Sequence, residues 1–453
     1  MKKYDVVIIG AGPAGIITGT TAKKKHPRKS MLMLKEEEHG LVPCGIPYIF
    51  HALGDIDKNK MGPKPFIDAG GEVRTDPAEK IELKEKKIIL KSGDEVAFEK
   101  LVFATGSTPI IPKFIPGYDL ENVFYIRKSY RYIQQLFHTI KKKKNIVIIG
   151  GGFIGAEVAE QLALEPDKNI SLIEMEEACF MRAFSPELSK IATGELKKTN
   201  VNVHTSSRVT QILGKNHTAE KVELSTGKII EADAIIMAIG YHPNTALAKE
   251  AGLELNRMGG IIVDNYERTP VKDVCAVGDC SQTIGFLTGT LDNIMLASTA
   301  TAEARVLGYN LFDINIKKYF TGTLAVFSTE INGLAMAGAG VNENNAANAY
   351  VDFVSGKFSD VDKHPGTFRD ASPITVKLYV SPSDGSILGG ESWGANPAGE
   401  IINTISLAIQ KGVSIYDLIS FQLGTHPLLT AAPTKPVLIK AAEAALEKIQ
   451  AKK

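Results

Sequence analysis

Two stretches of the chain share one hydrophobic pattern. Tyr4-Asp5-Val6-Val7-Ile8-Ile9 leads into Gly10-Ala11-Gly12-Pro13-Ala14-Gly15, and Asn145-Ile146-Val147-Ile148-Ile149 leads into Gly150-Gly151-Gly152-Phe153-Ile154-Gly155. A short unbroken apolar run that stops at glycines predicts a strand buried on both faces, running through a tight turn into a helix. Each copy is followed by a second apolar run, near Met31–Leu34 and Ile170–Ile173, which predicts the next strand of a βαβ unit. A unit that returns after about 140 residues predicts two like domains rather than one.

Between the copies, Lys84–Leu90 and Glu95–Phe103 predict strands, and a proline-rich connection runs from Pro109 to Pro116. Ile261–Asp279 ends in a strand and a turn, and Asn293–Leu311 predicts a helix. The lysines from Lys141 to Lys144 read as a solvated approach to the next strand. Beyond about residue 320 the pattern changes to that of a separate α+β domain. Strands are expected at Leu324–Ser328 and Ile374–Tyr379, a turn at Pro382–Gly385, and helices at Gly399–Lys411 and Pro436–Lys453. Thr434 is the candidate N-cap of the last helix, with Pro436 in its first turn.

A chain of 453 residues is too long for a single core, which agrees with several domains. The formal charge is +1, from 52 basic and 51 acidic residues. Neither a nucleic acid nor an anionic membrane is an expected partner, since both call for a basic excess. Four cysteines do not make a disulfide framework, no CxxC pair is present and the nine histidines are scattered, so no metal site is expected. The apolar run Val6–Ile9 is too short for a signal peptide, and nothing approaches a membrane span. The expected location is cytoplasmic.

The glycine turns carry chemistry. In a strand–GxGxxG–helix unit the first glycine permits the turn and the second admits a pyrophosphate to the backbone. The third lets helix and strand pack closely, and the helix N-terminus then faces the phosphates with free N–H groups. An acidic residue about 20 positions on is expected to hold the ribose. Glu174 closes the second unit's strand, followed by Glu176 and Glu177 and no arginine, which favours NADH over NADPH. In the first unit Lys35 stands at the corresponding place, and Glu36 is the candidate ribose contact.

With these residues in hand, the chain resembles the flavoprotein pyridine nucleotide-disulfide oxidoreductases with two dinucleotide domains. Within them it is most similar to the single-cysteine branch of NADH oxidases, NADH peroxidases and coenzyme A-disulfide reductases. The resemblance runs over essentially the whole chain. It is carried by Gly10–Gly15, Pro43-Cys44-Gly45-Ile46-Pro47-Tyr48, Ala104-Thr105-Gly106-Ser107, Gly150–Gly155 and Ala276-Val277-Gly278-Asp279-Cys280. It implies FAD on the first glycine turn and NADH on the second. It also implies that Asp279 bonds the flavin's ribityl chain, and that Leu296-Ala297-Ser298-Thr299-Ala300 sets a helix N-terminus beneath the flavin pyrimidine.

The expected fold class is therefore α/β, with two Rossmann-like dinucleotide-binding domains plus a C-terminal α+β dimerisation domain and a homodimer. The expected boundaries are 1–115 with 257–320 for FAD, 116–256 for NADH and 321–453 for dimerisation. The cofactor-binding set is Gly10, Gly12, Pro13, Ala14, Gly15, Glu36, Ala104, Thr105, Gly106, Gly150, Gly152, Phe153, Ile154, Gly155, Glu174, Gly240, Gly278, Asp279, Ala297 and Thr299.

Cys44 is the candidate redox thiol. The apolar stretch after it reads as a helix start, and a thiol at a helix N-terminus is activated by the positive end. Position 49 is Ile49, where two-cysteine reductases of the family carry the second thiol of CxxxxC. Cys44 can then cycle only through an oxidised acid or a mixed disulfide with a small thiol. Packing is the reading for Cys179, Cys275 and Cys280. Pro13 stands where the peroxidase and water-forming oxidase branch carries a histidine, which disfavours a dedicated peroxidase. Gly424-Thr425-His426-Pro427 matches the coenzyme A-disulfide branch's Tyr-Ser-His-Pro at the His-Pro only, and leaves His426 either to stabilise the thiolate or protonate a leaving thiol, or as a plain surface or core histidine. Lys23, Lys24, Lys25 and Arg28 read either as a phosphate contact for coenzyme A or as a solvated helix end.

The expected activity moves electrons from NADH through FAD to Cys44, and on to a small disulfide, a persulfide or oxygen, with coenzyme A as a possible substrate or adduct. The alternatives are an NADH-dependent reductase of a ferredoxin- or rubredoxin-like carrier and an NADH-responsive redox sensor.

Overall fold

The computed structural model describes residues 1–349 and 351–451, so the last two positions of the final predicted helix lie outside the described residues. The chain divides into two compact units, one of Met1–Pro112, Tyr125–Lys142 and Ile239–Thr323, the other of Lys113–Phe124, Lys143–Ala238 and Leu324–Lys453. Among the described residues no helix is long and apolar enough to cross a membrane.

The first unit is built on a seven-stranded sheet. Lys2–Ile9 runs parallel to Met31–Lys35 on one side and to Glu95–Phe103 on the other. Glu72–Thr75 extends the parallel set beyond Met31–Lys35, and Val274–Ala276 pairs in parallel with Glu95–Phe103. Successive side chains of a strand point to opposite faces, and both faces here are covered. Val6, Ile8, Met31, Met33 and Val102 pack on the side of the Pro13–Lys25 and Ala297–Asn310 helices. Val7, Ile9, Leu32, Leu34, Leu101 and Phe103 fill the other. This double burial is why the strands read as continuous apolar runs.

The second unit holds the echo. Ala234–Met237, Asn145–Ile149, Asn169–Ile173 and Val201–His204 run parallel in that order. Phe153–Ala163 is the helix that leaves the glycine turn. An antiparallel ribbon of Val209–Lys215, Thr218–Leu224 and Ile229–Glu231 lies in the same unit. The C-terminal part is a five-stranded antiparallel sheet in the order Phe327–Ile331, Leu334–Gly340, Ile387–Gly394, Pro373–Val380, Val354–Val361, and the helices Ala398–Gln410 and Val437–Ala451 pack on it.

Several expected boundaries move. The strand expected at Leu324–Ser328 is Phe327–Ile331, because the Asn332-Gly333 pair, both at positive φ, makes the hairpin turn and sets its end. The run from Lys84 begins its strand only at Lys87, after Lys86 turns at φ 50°. The helix expected over Asn293–Leu311 starts at Ala297, and residues 293–296, its predicted first turn, are an irregular link from the short strand Leu291–Asp292. Thr434 is not the cap of the last helix. Lys440 N–H bonds the carbonyl of Pro436, so the helix begins after Pro436, whose ring disfavours helical geometry at Lys435.

Candidate functional site

The first glycine turn is shaped by close approach. Gly10 sits at φ +112°, and a Cβ there would lie 2.1 Å from the carbonyl oxygen of Ala104. A Cβ on Gly15 would lie 2.1 Å from the carbonyl oxygen of Gly10, so the helix can seat against the turn only with glycine at both positions. Nothing lies within 4 Å of the Cβ position of Gly12, the N-cap, and no side chain caps the helix. Pro13 is the first helical residue, and its missing N–H is one the helix end could not have paired anyway. The N–H groups of Ala14 and Gly15 are thus presented to a ligand, which fits a dinucleotide pyrophosphate. At the end of Met31–Lys35, Glu36 is exposed, whereas Glu37 takes its hydrogen bonds from Ser129 Oγ and the Arg131 N–H and so is committed to the start of the Tyr130–Lys141 helix.

A second strand end meets this turn. Ala104 N–H bonds the carbonyl of Ile9. Thr105 Oγ1 donates to the carbonyl of Asn244 at 2.6 Å, and the Asn244 amide returns a bond to the carbonyl of Thr105 at 3.2 Å, pinning the Ala104-Thr105-Gly106 loop. Ile110 N–H bonds the carbonyl of Gly240, another position at positive φ. Ser107 Oγ donates to Asp279 Oδ2 at 2.7 Å, and Lys128 Nζ donates to both of those oxygens, also at 2.7 Å. Lys128 Nζ stands 5.0 Å from the centre of the Tyr241 ring. Burial and the neighbouring Asp279 push the Tyr241 phenol up.

Behind Asp279, Gly278 N–H donates to Glu303 Oε2 at 2.9 Å. Glu303 is fully buried, and its carboxyl is pushed up to about 8, chiefly by burial. Glu267, also fully buried, is raised well above the usual carboxylate range by burial and by Glu303. Ala297 opens its helix with no side-chain cap, and Thr299 Oγ1 lies 2.9 Å from Thr323 Oγ1.

The second turn repeats the first. Gly150 is at φ +110°, a Cβ on Gly155 would lie 1.8 Å from the Gly150 carbonyl oxygen, and Gly152 again has an open Cβ position and no side-chain cap. Glu174 ends its strand 9% exposed, with Oε2 accepting Gly151 N–H at 2.6 Å and Oε1 accepting Glu176 N–H at 2.8 Å. Phe153 and Ile154 open the helix, and the Phe153 ring packs edge-on against Phe180, Phe184 and Phe327. One turn on, Glu157 is half-buried. Its carboxyl accepts from Thr329 Oγ1 at 2.7 Å and is pushed up to about 7, mainly by burial.

The four cysteines separate cleanly, and none is in a disulfide. Cys179 and Cys280 are 0% exposed and Cys275 is 5% exposed. Burial pushes the Cys179 and Cys275 thiols up to about 12 and raises Cys280 as well. Cys44 is exposed. The expectation of a helix start after it is wrong. Pro43–Gly45 and Pro47–Phe50 are two short 3-10 turns, because each proline removes a donor that an α-helix needs. Cys44 lies inside a three-residue 3-10 turn rather than at the N-terminus of an α-helix. The loop is held instead by buried Asn59, whose carbonyl accepts Val42 N–H at 3.0 Å and whose Nδ2 donates to Val42 O at 3.1 Å.

In the C-terminal part, His426 lies in the irregular stretch after Ile415–Ile419 and is exposed. Leu428 N–H donates to His426 Nδ1 at 3.3 Å, which puts the proton of a neutral ring on Nε2. His364 N–H bonds the carbonyl of Pro427, and His364 Nδ1 lies 2.9 Å from the carbonyl oxygen of Thr430, so the stretch is anchored. Lys23 is buried, its ammonium closing the helix end on the carbonyls of Pro27 and Lys29, while Lys24, Lys25 and Arg28 are exposed.

Residues that sequence reasoning passed over are Lys128, Asn244, Glu303, Glu267, Glu157 and Asn59. Glu157 and Glu303 gave no clear signal, since their helices carry other polar side chains as well. Lys128 had none, since its contact with Asp279 spans 151 positions.

Comparison with known proteins gives the family. Residues 4–304 match the model of the pyridine nucleotide-disulphide oxidoreductases, and residues 326–436 match that of their dimerisation domain. The chain is 29% identical to an NADH oxidase of Methanocaldococcus jannaschii, over 98% of this chain and 99% of the relative. It is 30% identical to an NAD(P)H coenzyme A polysulfide/persulfide reductase of Pyrococcus horikoshii, over 94% of this chain and 95% of the relative. Among solved structures, the NAD-dependent persulfide reductase from A. fulgidus superposes with a TM-score of 0.90 at 27% identity, covering 98% of this chain and 84% of that one. The chain belongs to the pyridine nucleotide-disulphide oxidoreductase family and is an FAD-dependent NADH oxidoreductase.

Proposed function

We propose that this enzyme carries electrons from NADH to Cys44 and from there to a sulfur–sulfur bond in a small molecule, with coenzyme A disulfide, a polysulfide or a persulfide as acceptor and oxygen as a secondary one. The observation that carries the reading is the contrast among the thiols, with Cys44 exposed on a clamped loop and the other three buried with raised thiols. The printed activities of the relatives, NADH oxidase and coenzyme A polysulfide/persulfide reductase, fall within the same range.

FAD, when bound, supplies the two-electron relay between NADH and a thiol. Gly10, Gly12, Pro13, Ala14, Gly15, Glu36, Ala104, Thr105, Gly106, Gly240, Gly278, Asp279, Ala297 and Thr299 are the residues assigned to hold it. Gly150, Gly152, Phe153, Ile154, Gly155 and Glu174 are assigned to NADH. The Glu174 carboxylate favours the ribose hydroxyls of NADH and repels a 2′-phosphate. The electron pair breaks the bond between Cys44 sulfur and a bound small thiol, which leaves as its protonated form. The freed thiolate attacks the next disulfide and expels a second thiol, so one NADH, one proton and one disulfide give NAD⁺ and two thiols. His426, with its proton on Nε2, is assigned to protonate a leaving thiolate.

We assign the enzyme to the cytoplasm, where thiols stay reduced. It is assigned as a homodimer through the C-terminal domain at 321–453, with FAD on 1–115 and 257–320 and NADH on 116–256. The test is Cys44→Ser. Disulfide and persulfide turnover should vanish while bound flavin is retained. Full turnover in that variant would defeat the proposal.

A further inference from the structure

The Ser107–Asp279–Lys128 cluster has no place in the assignments above beyond Asp279 itself. Asp279 is the better buried partner, with its side chain 13% exposed against 30% for Lys128. Taking a carboxylate that far out of water is costly unless a cation and hydrogen-bond donors replace the solvent. Lys128 and Ser107 do this at Oδ2, each at 2.7 Å. The Tyr241 ring beside the ammonium adds an attractive face, 5.0 Å from Nζ. Tyr241 in turn bonds the carbonyl of Ile126, two positions before Lys128, so the segment bearing the lysine is tied to the wall it faces.

We propose that Lys128 is a positioning and charge-balancing residue of the flavin site, holding Asp279 in its ligand-accepting orientation and cancelling its charge. The proposal rests on the assignment of Asp279 to the flavin. A flavin gains negative charge on reduction, and a lone carboxylate beside it would oppose that gain. With Lys128 in place the pair is neutral, so Asp279 can accept hydrogen bonds from the cofactor without that penalty. The uncapped start of the Ala297–Asn310 helix, in the same unit, is a further positive influence.

The test uses Lys128→Met, Lys128→Arg, Asp279→Asn and the double variant Lys128→Met/Asp279→Asn. The readouts are the FAD dissociation constant of the apoprotein and the flavin midpoint potential. Lys128→Met should weaken FAD binding by at least about tenfold, since it leaves a largely buried carboxylate without its cation. It should also move the potential to more negative values. Asp279→Asn should move the potential the other way. The double variant should return towards the wild-type potential, which a merely structural lysine would not produce, and Lys128→Arg should stay close to wild type. If Asp279→Asn changes both readouts and Lys128→Met changes neither, the role of Lys128 is refuted while the flavin assignment stands. If Asp279→Asn changes neither, the assignment fails and takes the proposal with it.

Discussion

Glu303 Oε2 accepts the backbone N–H of Gly278 at 2.9 Å, one residue before Asp279. The acceptor belongs to a fully buried carboxyl pushed up to about 8, and Glu267 behind it is raised in the same direction. Glu303 Oε1 and Glu267 Oε2 are both buried without a hydrogen-bond partner. The turn that presents Asp279 thus hangs on acids that fold in the protonated form.

The sign of the resulting pH dependence follows from linkage. A carboxyl whose folded pKa lies above its unfolded one binds its proton more tightly in the native state, so its contribution is full below the unfolded value and is lost as pH rises through the folded value. Thermal stability should therefore fall as pH rises from about 5 to about 8. Glu303→Gln, which keeps the shape and cannot ionise, should flatten that slope. Melting curves across this range check it, and equal slopes in the two proteins would count against the pair.

Glu174 is the second test. Its two oxygens already hold the N–H groups of Gly151 and Glu176, so it shapes the turn as well as facing the ribose. Glu174→Ala should raise the KM for NADH by about tenfold to a hundredfold, the worth of a charged hydrogen bond. The preference for NADH over NADPH should shrink in the same variant. Steady-state kinetics with both nucleotides decide it, and an unchanged preference would show that another residue selects the nucleotide.

Gly10→Ala should abolish flavin retention. The added Cβ meets the Ala104 carbonyl at 2.1 Å in a backbone at φ +112°, and the backbone strain alone costs about 1–3 kcal/mol. The absorbance of the purified variant reports the outcome. A fully yellow protein would mean that this turn does not hold the cofactor.

The glycine turns, the strands before them and the helix at Ala297 were legible because each is a local pattern. Periodicity and glycine spacing act over a dozen residues, and the two-sided burial of Val6–Ile9 writes itself into composition. Cys44 was found from its neighbours, but its surroundings were misread, since the apolar run suggested a helix and the prolines at 43 and 47 cut it into 3-10 turns. What remained hidden depends on contacts between distant segments. Lys128 meets Asp279, Asn244 locks Thr105, and Asn59 braces Val42 only once the sheet has formed. The buried glutamates were hidden for a different reason. A glutamate on a helix reads as solvated until packing shows that the Glu303 face is turned inward.

His426 supplies another check. With Nδ1 taken by Leu428 N–H, its Nε2 proton is the one available for donation. His426→Ala should lower disulfide turnover by about a hundredfold, within the usual range for loss of a general acid. The single-turnover rate of flavin reduction by NADH should stay unchanged. Equal disulfide turnover in the variant would return His426 to the role of a surface residue.

The most direct measurement is an anaerobic titration of the flavin with NADH, after Cys44 has been oxidised with a small disulfide. If Cys44 is the electron acceptor, the wild-type protein should consume about two molecules of NADH per flavin before full bleaching, and Cys44→Ser about one. The same stoichiometry in both proteins would contradict the account.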